Sequence, residues 1–321
     1  MSIFPTKVLL ATDGSKEAEL ATRIAAELAN KTGSELHVVH VFSVIPWYPA
    51  YPEATDFDET ELEGSVLEED LQRISEQRAR ELLEAEVEKV RSVGGTLAQA
   101  HLAEGGAPQE IVSLAEEVGA GLIVMGSRGQ GGIRRALMGS VSLSVVHHAH
   151  CSVLVVRSSG DQQEKRYPPG KVLLAFDGSK EASAAARVAV EFANATGSEL
   201  HILHVTASEP YPAPFAYIPY DEMKAWEARE ANLERDEERA RSLVERQAQR
   251  MEAQGAKVAE VHLLFGKADK EIVRLAEDLG AGLVVVGNRG RGGIRRALTG
   301  SVSDSVVQHA HCPVLVVRPE K

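Results

Sequence analysis

Gly126-Ser127-Arg128-Gly129-Gln130-Gly131-Gly132-Ile133-Arg134-Arg135-Ala136-Leu137-Met138-Gly139-Ser140 decides the fold reading, because it recurs as Gly287-Asn288-Arg289-Gly290-Arg291-Gly292-Gly293-Ile294-Arg295-Arg296-Ala297-Leu298-Thr299-Gly300-Ser301. Each copy follows a short apolar run, Leu122–Met125 or Leu283–Val286, and leads into a helix-like segment. A strand, a glycine-rich loop and a helix N-terminus in that order leave backbone N–H groups able to hold an anion. Glycines also allow positive φ and close backbone approach to an oxygen-rich ligand. The lysine of Gly-x-x-x-x-Gly-Lys-Ser/Thr is missing, and no Gly-x-Gly-x-x-Gly follows the first apolar run. Two readings stand at this point: a phosphate cradle used once per half, and a simple glycine-rich turn.

The repeat extends well beyond the loop. Lys7–Val41 aligns with Lys171–Val205 with 25 identities in 35 positions, and Gly126–Arg157 aligns with Gly287–Arg318 with 26 in 32. A period this long is a duplicated domain rather than a solenoid. The halves are read as residues 1–157 and 171–321, joined by a polar linker over 158–170 that contains Pro168 and Pro169.

Each half has the same grammar. Lys7–Ala11 reads as a buried strand, followed by the turn Thr12-Asp13-Gly14-Ser15, with Ser15 as helix N-cap. Ala21, Ile24, Ala25 and Leu28 recur at helical spacing, as do Ala185, Val188, Ala189 and Phe192. Gly33 and Gly197 end those helices. Leu36–Phe42 is a second strand, and long charged helices are expected over about Glu68–Ser92 and Ala225–Gln254. Third strands are expected at Leu97–Leu102 and Val258–Leu263, a helix from Pro108 to Val118, a fourth strand at Leu122–Met125, a helix over Ser140–Ala149 and a last strand at Val153–Val156. Strands alternating with helices predict an α/β fold: two tandem doubly wound domains, each with a five-stranded parallel sheet flanked by helices. The short apolar last strands, Val153–Val156 and Val314–Val317, are edges that mutual pairing would cover, giving the halves a pseudo-twofold relation. The segments Ile45–Val66 and Ser208–Tyr220, rich in Pro and Tyr, read either as loops packed over the sheet edge or as lids and partner contacts.

Composition is that of a globular protein, with 44% hydrophobic and 26% charged residues in 321. A net charge of −12 argues against nonspecific nucleic-acid binding. No apolar run approaches the roughly 20 residues of a membrane span, and the start lacks signal-peptide character, so a cytoplasmic location is expected. Cys151 and Cys312 occupy equivalent places and read as buried thiols in a reducing compartment.

In open α/β sheets, ligands sit beyond the carboxyl ends of strands where strand order reverses. If the first and fourth strands are neighbours, Asp13 and Gly126 line one crevice, and Asp177 and Gly287 a second. The combination of the Thr12-Asp13-Gly14-Ser15 turn, Gly126-x-x-Gly129, nine residues, Gly139-Ser140, and the ending His150-Cys151-Ser-Val-Leu-Val-Val-Arg157 resembles the universal stress protein family. Asp177-Gly178-Ser179, Gly287, Gly290, Gly300-Ser301 and Cys312-Pro-Val-Leu-Val-Val-Arg318 carry the resemblance through the second half. The glycine signature is that of the family's ATP-binding branch. The resemblance implies one ATP per domain. Asp13 and Asp177 would contact adenosine, and Val41 and Val205 would meet adenine through backbone groups. Gly126, Gly129, Gly139 and Ser140, with Gly287, Gly290, Gly300 and Ser301, would hold ribose and phosphates. It also implies further assembly, such as a dimer of tandem chains. A divalent cation, Mg2+, is expected on the phosphates on charge grounds, although no compact ligand set is visible. One departure stands out: Ser303-Asp304 follows the second loop where the first has Ser142-Leu143.

Arg128, Arg134 and Arg135, with Arg289, Arg295 and Arg296, are candidate phosphate contacts or solvated partners of the many carboxylates. His147, His148, His150 and Cys151, and likewise His309, His311 and Cys312, span a helix end and a strand start, so they are expected to point apart rather than hold a metal. His37 and His40 have opposite parity on a strand and are read as structural. No serine in the motif has a plausible His-Asp pair, so no catalytic residue is assigned. The functional expectation is a nucleotide-dependent stress-response regulator. The alternatives are a slow ATPase or self-phosphorylating enzyme, and a scaffold acting through its lids and charged helices.

Overall fold

Val8, Leu9 and Leu10 are all fully buried, so the first strand is covered on both faces, as strands of a parallel sheet between helix layers are. A computed structural model describes residues 6–43, 64–129, 138–157, 167–206, 220–290 and 299–319, with side chains described for all of these except 64–69 and 220–233. The two Pro- and Tyr-rich segments lie outside the described residues apart from their helical ends, and so do Arg134, Arg135, Arg295, Arg296 and linker residues 158–166. The first half runs β1 (Lys7–Ala11), α1 (Lys16–Thr32), β2 (Glu35–Phe42), α2 (Gly64–Ser92), β3 (Leu97–Glu104), α3 (Ala107–Val118), β4 (Leu122–Gly126), α4 (Ser140–His148) and β5 (Ser152–Val156). The second repeats it as β6 (Lys171–Ala175), α5 (Lys180–Thr196), β7 (Glu199–Thr206), α6 (Tyr220–Glu252), β8 (Val258–Phe265), α7 (Ala268–Leu279), β9 (Leu283–Gly287), α8 (Ser301–His309) and β10 (Val314–Val317).

Local chemistry sets the helix ends. Ser15 and Ser179 accept from the N–H of Ala18 and Ala182, satisfying one orphan donor each, while Gly33 and Gly197 close the same helices in the left-handed region. The long helices begin earlier than the sequence suggests, at Gly64 and Tyr220. The third strands run further, to Glu104 and Phe265, because parallel pairing with β2 and β7 continues to Phe42↔Glu104 and Thr206↔Phe265.

The two five-stranded sheets are one. The order is β3-β2-β1-β4-β5-β10-β9-β6-β7-β8, and among the described strands every pairing is parallel except β5 with β10. That joint is the expected mutual pairing of the last strands. Its register sets Leu154 opposite Leu315, its own counterpart, so the pseudo-twofold axis passes between them. One apolar cluster on each face of the sheet runs through both halves, the first under α1, α2, α5 and α6 and the second under α3, α4, α7 and α8. Each cluster therefore joins apolar residues of both halves.

Two arginines lock the joint. Arg157, nearly buried, donates to the carbonyls of Gln308 (3.1 Å), Ala310 (2.9 Å) and Val307 (3.3 Å) at the end of α8. Arg318 reciprocates at the end of α4, donating to Val146 (2.8 Å) and His147 (3.0 Å). Each cation sits where the helix dipole is negative and the last carbonyls lack intrahelical donors. Burial pulls both guanidinium pKa values down from their usual range.

Candidate functional site

The switch point lies between β1 and β4, and again between β6 and β9, where crossovers leave in opposite directions. Register sets Ala11 beside Met125, so Asp13 and Gly126 emerge at adjacent strand ends. Asp13 folds back on its own turn, its Oδ1 accepting from the Ser15 N–H at 3.1 Å, and Asp177 does the same with Ser179 at 2.9 Å. Ser15 also ties the turn to the glycine loop, donating from Oγ to the Arg128 carbonyl at 3.3 Å.

The glycines of the loop have two different reasons to be glycine. A Cβ at Gly126 would stand 3.1 Å from the Glu17 carbonyl carbon, and one at Gly287 would stand 2.8 Å from that of Glu181. These two let the end of the fourth strand lie against the first turn of α1 or α5, so packing alone already asks for glycine at both. Gly129 and Gly290 face the aspartates instead: a Cβ at Gly290 would come within 2.7 Å of Asp177 Oδ2, and one at Gly129 would run into Asp13. The space between loop and aspartate is thus kept open by the absence of a side chain in both halves.

Gly139 and Gly300 precede α4 and α8 as caps without a side-chain hydrogen bond, and donate their own N–H to Ser127 (2.8 Å) and Asn288 (2.7 Å). The first helical bond of α4 runs from the Leu143 N–H to Gly139, and that of α8 from Asp304 to Gly300. The N–H groups of the residues between, starting with Ser140 and Ser301, are not used by the helix and carry the positive end of its dipole.

In the second half these pieces surround a cavity of about 540 Å³ whose lining includes Asp177, Val205, Gly290, Gly300, Ser301 and Asp304. Gly287 and Arg289 also line it. The structure therefore brings together Asp177, Val205, Gly287, Arg289, Gly290, Gly300 and Ser301, while Arg295 and Arg296 lie outside the described residues. In the first half, Asp13, Gly126, Gly129, Gly139 and Ser140 take equivalent places, Val41 packs beside the apolar cluster under α3 and α4, and Arg128 approaches Glu17 at 3.9 Å. The Nε of both Arg128 and Arg289 is buried without a hydrogen-bond partner among the described residues.

The profile of the universal stress protein family matches residues 5–157 and again 169–318. The chain belongs to the universal stress protein family. A universal stress protein of Mycolicibacterium smegmatis is 31% identical over 320 residues, 97% of each chain. Universal stress protein Rv2005c of Mycobacterium tuberculosis is 32% identical over 316 residues, covering 97% of this chain and 96% of its own. The crystal structure of a universal stress protein from Archaeoglobus fulgidus has the same fold, with a TM-score of 0.64 at 24% identity over 98% of this chain and 97% of that one. This universal stress protein is thus a tandem of two family domains. No helix among the described residues is long and apolar enough to cross a membrane.

Several residues of this universal stress protein escaped sequence reasoning. Asp304 meets His147 across the joint at 2.7 Å (Oδ1 to Nε2), which accounts for the departure from the Ser142-Leu143 pattern. The symmetric position pairs Leu143 with Gln308, so the contact has no mirror image. Nothing local announces it, because it depends on the antiparallel register of β5 with β10. The histidines near Cys151 point apart as expected: His147 to Asp304, His148 to the Ser144 carbonyl at 2.8 Å, His150 towards Glu116 at 3.6 Å. Burial pushes the thiols of Cys151 and Cys312 up to about 12, so both are inert at neutral pH. His37 pairs with His101 and His40 with the Thr12 carbonyl, both structural roles.

Proposed function

We propose that each half binds one ATP and that the chain acts as a nucleotide-dependent regulator of a stress response rather than as a turnover enzyme. The observation that carries this reading is the convergence of Asp177, Gly290, Gly300 and Ser301 on one cavity at the strand-order switch of the second half, together with the same approach of glycine to aspartate at Gly129 and Asp13 in the first. The aspartate and the carboxyl end of β2 or β7, at Val41 or Val205, take the adenosine. The glycines and the N-terminus of α4 or α8 take the phosphates, where a negative charge gains about 0.3–1 kcal/mol from the helix dipole. The orphaned Nε groups of Arg128 and Arg289 are donors that an anion nearby would satisfy. Mg2+ on the phosphates, a cytoplasmic location and a dimer of tandem chains belong to the same proposal.

The test is Gly139→Val combined with Gly300→Val, read by calorimetric titration with ATP. A valine there stands against the Ser127 carbonyl and the Arg289 backbone and crowds the first turn of the helix. ATP binding is expected to vanish while the thermal transition keeps its cooperativity; unchanged affinity overturns the cradle.

A second reading, slow hydrolysis in the second half alone, is favoured by Asp304, an acid that lines the cavity and is oriented by His147. Phosphate release in single turnover that disappears in Asp304→Asn would support it, and absence of release in the native chain would dismiss it.

A further inference from the structure

We propose that the second half carries a transition-metal site made of His201, Glu260 and His262, suited to a borderline divalent ion such as zinc and without an equal in the first half. The register of β7 with β8 builds it. His201 lies beside Glu260, and His262 beside Leu203, two residues further along. Residues two apart on a strand share a face, so Glu260 and His262 project on the side where His201 stands. One donor atom from each of the three lies within 4.8 Å of the others, the only such group among the described residues. His201 Nδ1 is 3.1 Å from His262 Nε2, which is 3.8 Å from Glu260 Oε2.

Two imidazoles and one carboxylate match zinc, cobalt or nickel and not calcium or magnesium, which take oxygen. Burial is graded across the group: His201 is buried, His262 half-buried and Glu260 exposed, so a fourth coordination position faces solvent. Burial also lowers both histidine pKa values, keeping the rings neutral and able to ligate near pH 7. Lys171 opposes a cation here, whereas Glu260 and Glu199 favour it. Without a metal the rings share a proton, standing 24° from coplanar with centroids 5.4 Å apart. An ion would replace that proton; with bonds of about 2.0–2.1 Å, nitrogens at this spacing subtend an angle of about 100°.

The first half supplies the comparison. His37 and His101 stand at the same 3.1 Å, with centroids 5.4 Å apart and planes at 25°. Lys7 and Glu35 repeat Lys171 and Glu199, but Gln99 occupies the place of Glu260. Only the third ligand differs. None of the three proposed ligands lines the nucleotide cavity, so this site stands independently of ATP binding.

The experiment uses the untagged, chelator-stripped full chain, titrated with Zn2+ by calorimetry and with Co2+ by visible absorption. One ion per chain is expected for the native protein, with affinity falling at least about tenfold in Glu260→Gln and in His262→Gln. Glu260 is exposed, so Glu260→Gln should leave the thermal transition in chelator unchanged. Gln99→Glu should add a second ion. Absence of binding in the native chain, or one ion bound equally well by Glu260→Gln, overturns the site and leaves two hydrogen-bonded histidine pairs. Gln99→Glu binding no second ion overturns the claim that the carboxylate distinguishes the halves.

Discussion

The first and second halves agree where the sheet, the glycine loops and the arginines of the joint are built, and disagree in single polar groups at the joint and on the outer strands. Arg157 and Arg318 are the same residue doing the same work across the axis. Around them the copies diverge: Leu143 against Asp304, His147 against Gln308, and, further out, Gln99 against Glu260. A symmetric joint needs self-complementary contacts, and the arginines supply them. Once both copies are in one chain, each position is free to change alone, and the His147–Asp304 pair is such a change. The lesson is that a tandem chain keeps the symmetry of its scaffold while its polar groups specialise.

The largest effect that would break this comparison is at the joint. Arg157→Ala should cost about 3 kcal/mol in chemical denaturation, since it strips a charged donor from three carbonyls. Arg318→Ala should cost about the same. A loss confined to one arginine would mean the joint is not symmetric in energy. Next come the packing glycines: Gly287→Ala should cost about 2 kcal/mol and Gly126→Ala about 1, because the added carbon meets backbone at 2.8 Å in one and 3.1 Å in the other.

Acid should weaken both halves together. Burial, foremost, lowers the pKa values of His37, His101, His201 and His262 below that of an unfolded histidine. Between those lowered values and about 6.5, the unfolded chain binds more protons, so stability is whole above about pH 6.5 and falls as pH drops through it. Denaturation midpoints measured in chelator from about pH 8 to about pH 5.5 should decline, and His101→Gln with His262→Gln should flatten the decline. The smallest effect sharpens the asymmetry: His147→Ala should cost about 0.5 kcal/mol, as a half-exposed pair does, and Gln308→Ala close to nothing.

Much of this architecture was legible in the residues. The apolar run Lys7–Ala11, the Ser15 cap and the left-handed Gly33 are local physics and appear as read. The pairing of the last strands followed from four apolar residues with an uncovered edge. What lay hidden depends on distance in space. His201 and Glu260 become neighbours only through the register of β7 with β8. Arg157 looked like the end of a motif, yet its partners are carbonyls of another domain. Gly126 and Gly287 read as ligand glycines, and the nearness of α1 and α5 is a second demand for glycine there that only the packing in space reveals.

The central claim is two nucleotide sites, one per half, and the most direct measurement is the stoichiometry of ATP bound to the purified full-length chain by calorimetry. The account predicts two ATP per chain, falling to one in Gly139→Val or Gly300→Val alone and to none in the double variant. No bound ATP in the native chain, or two that persist in the double variant, would contradict it.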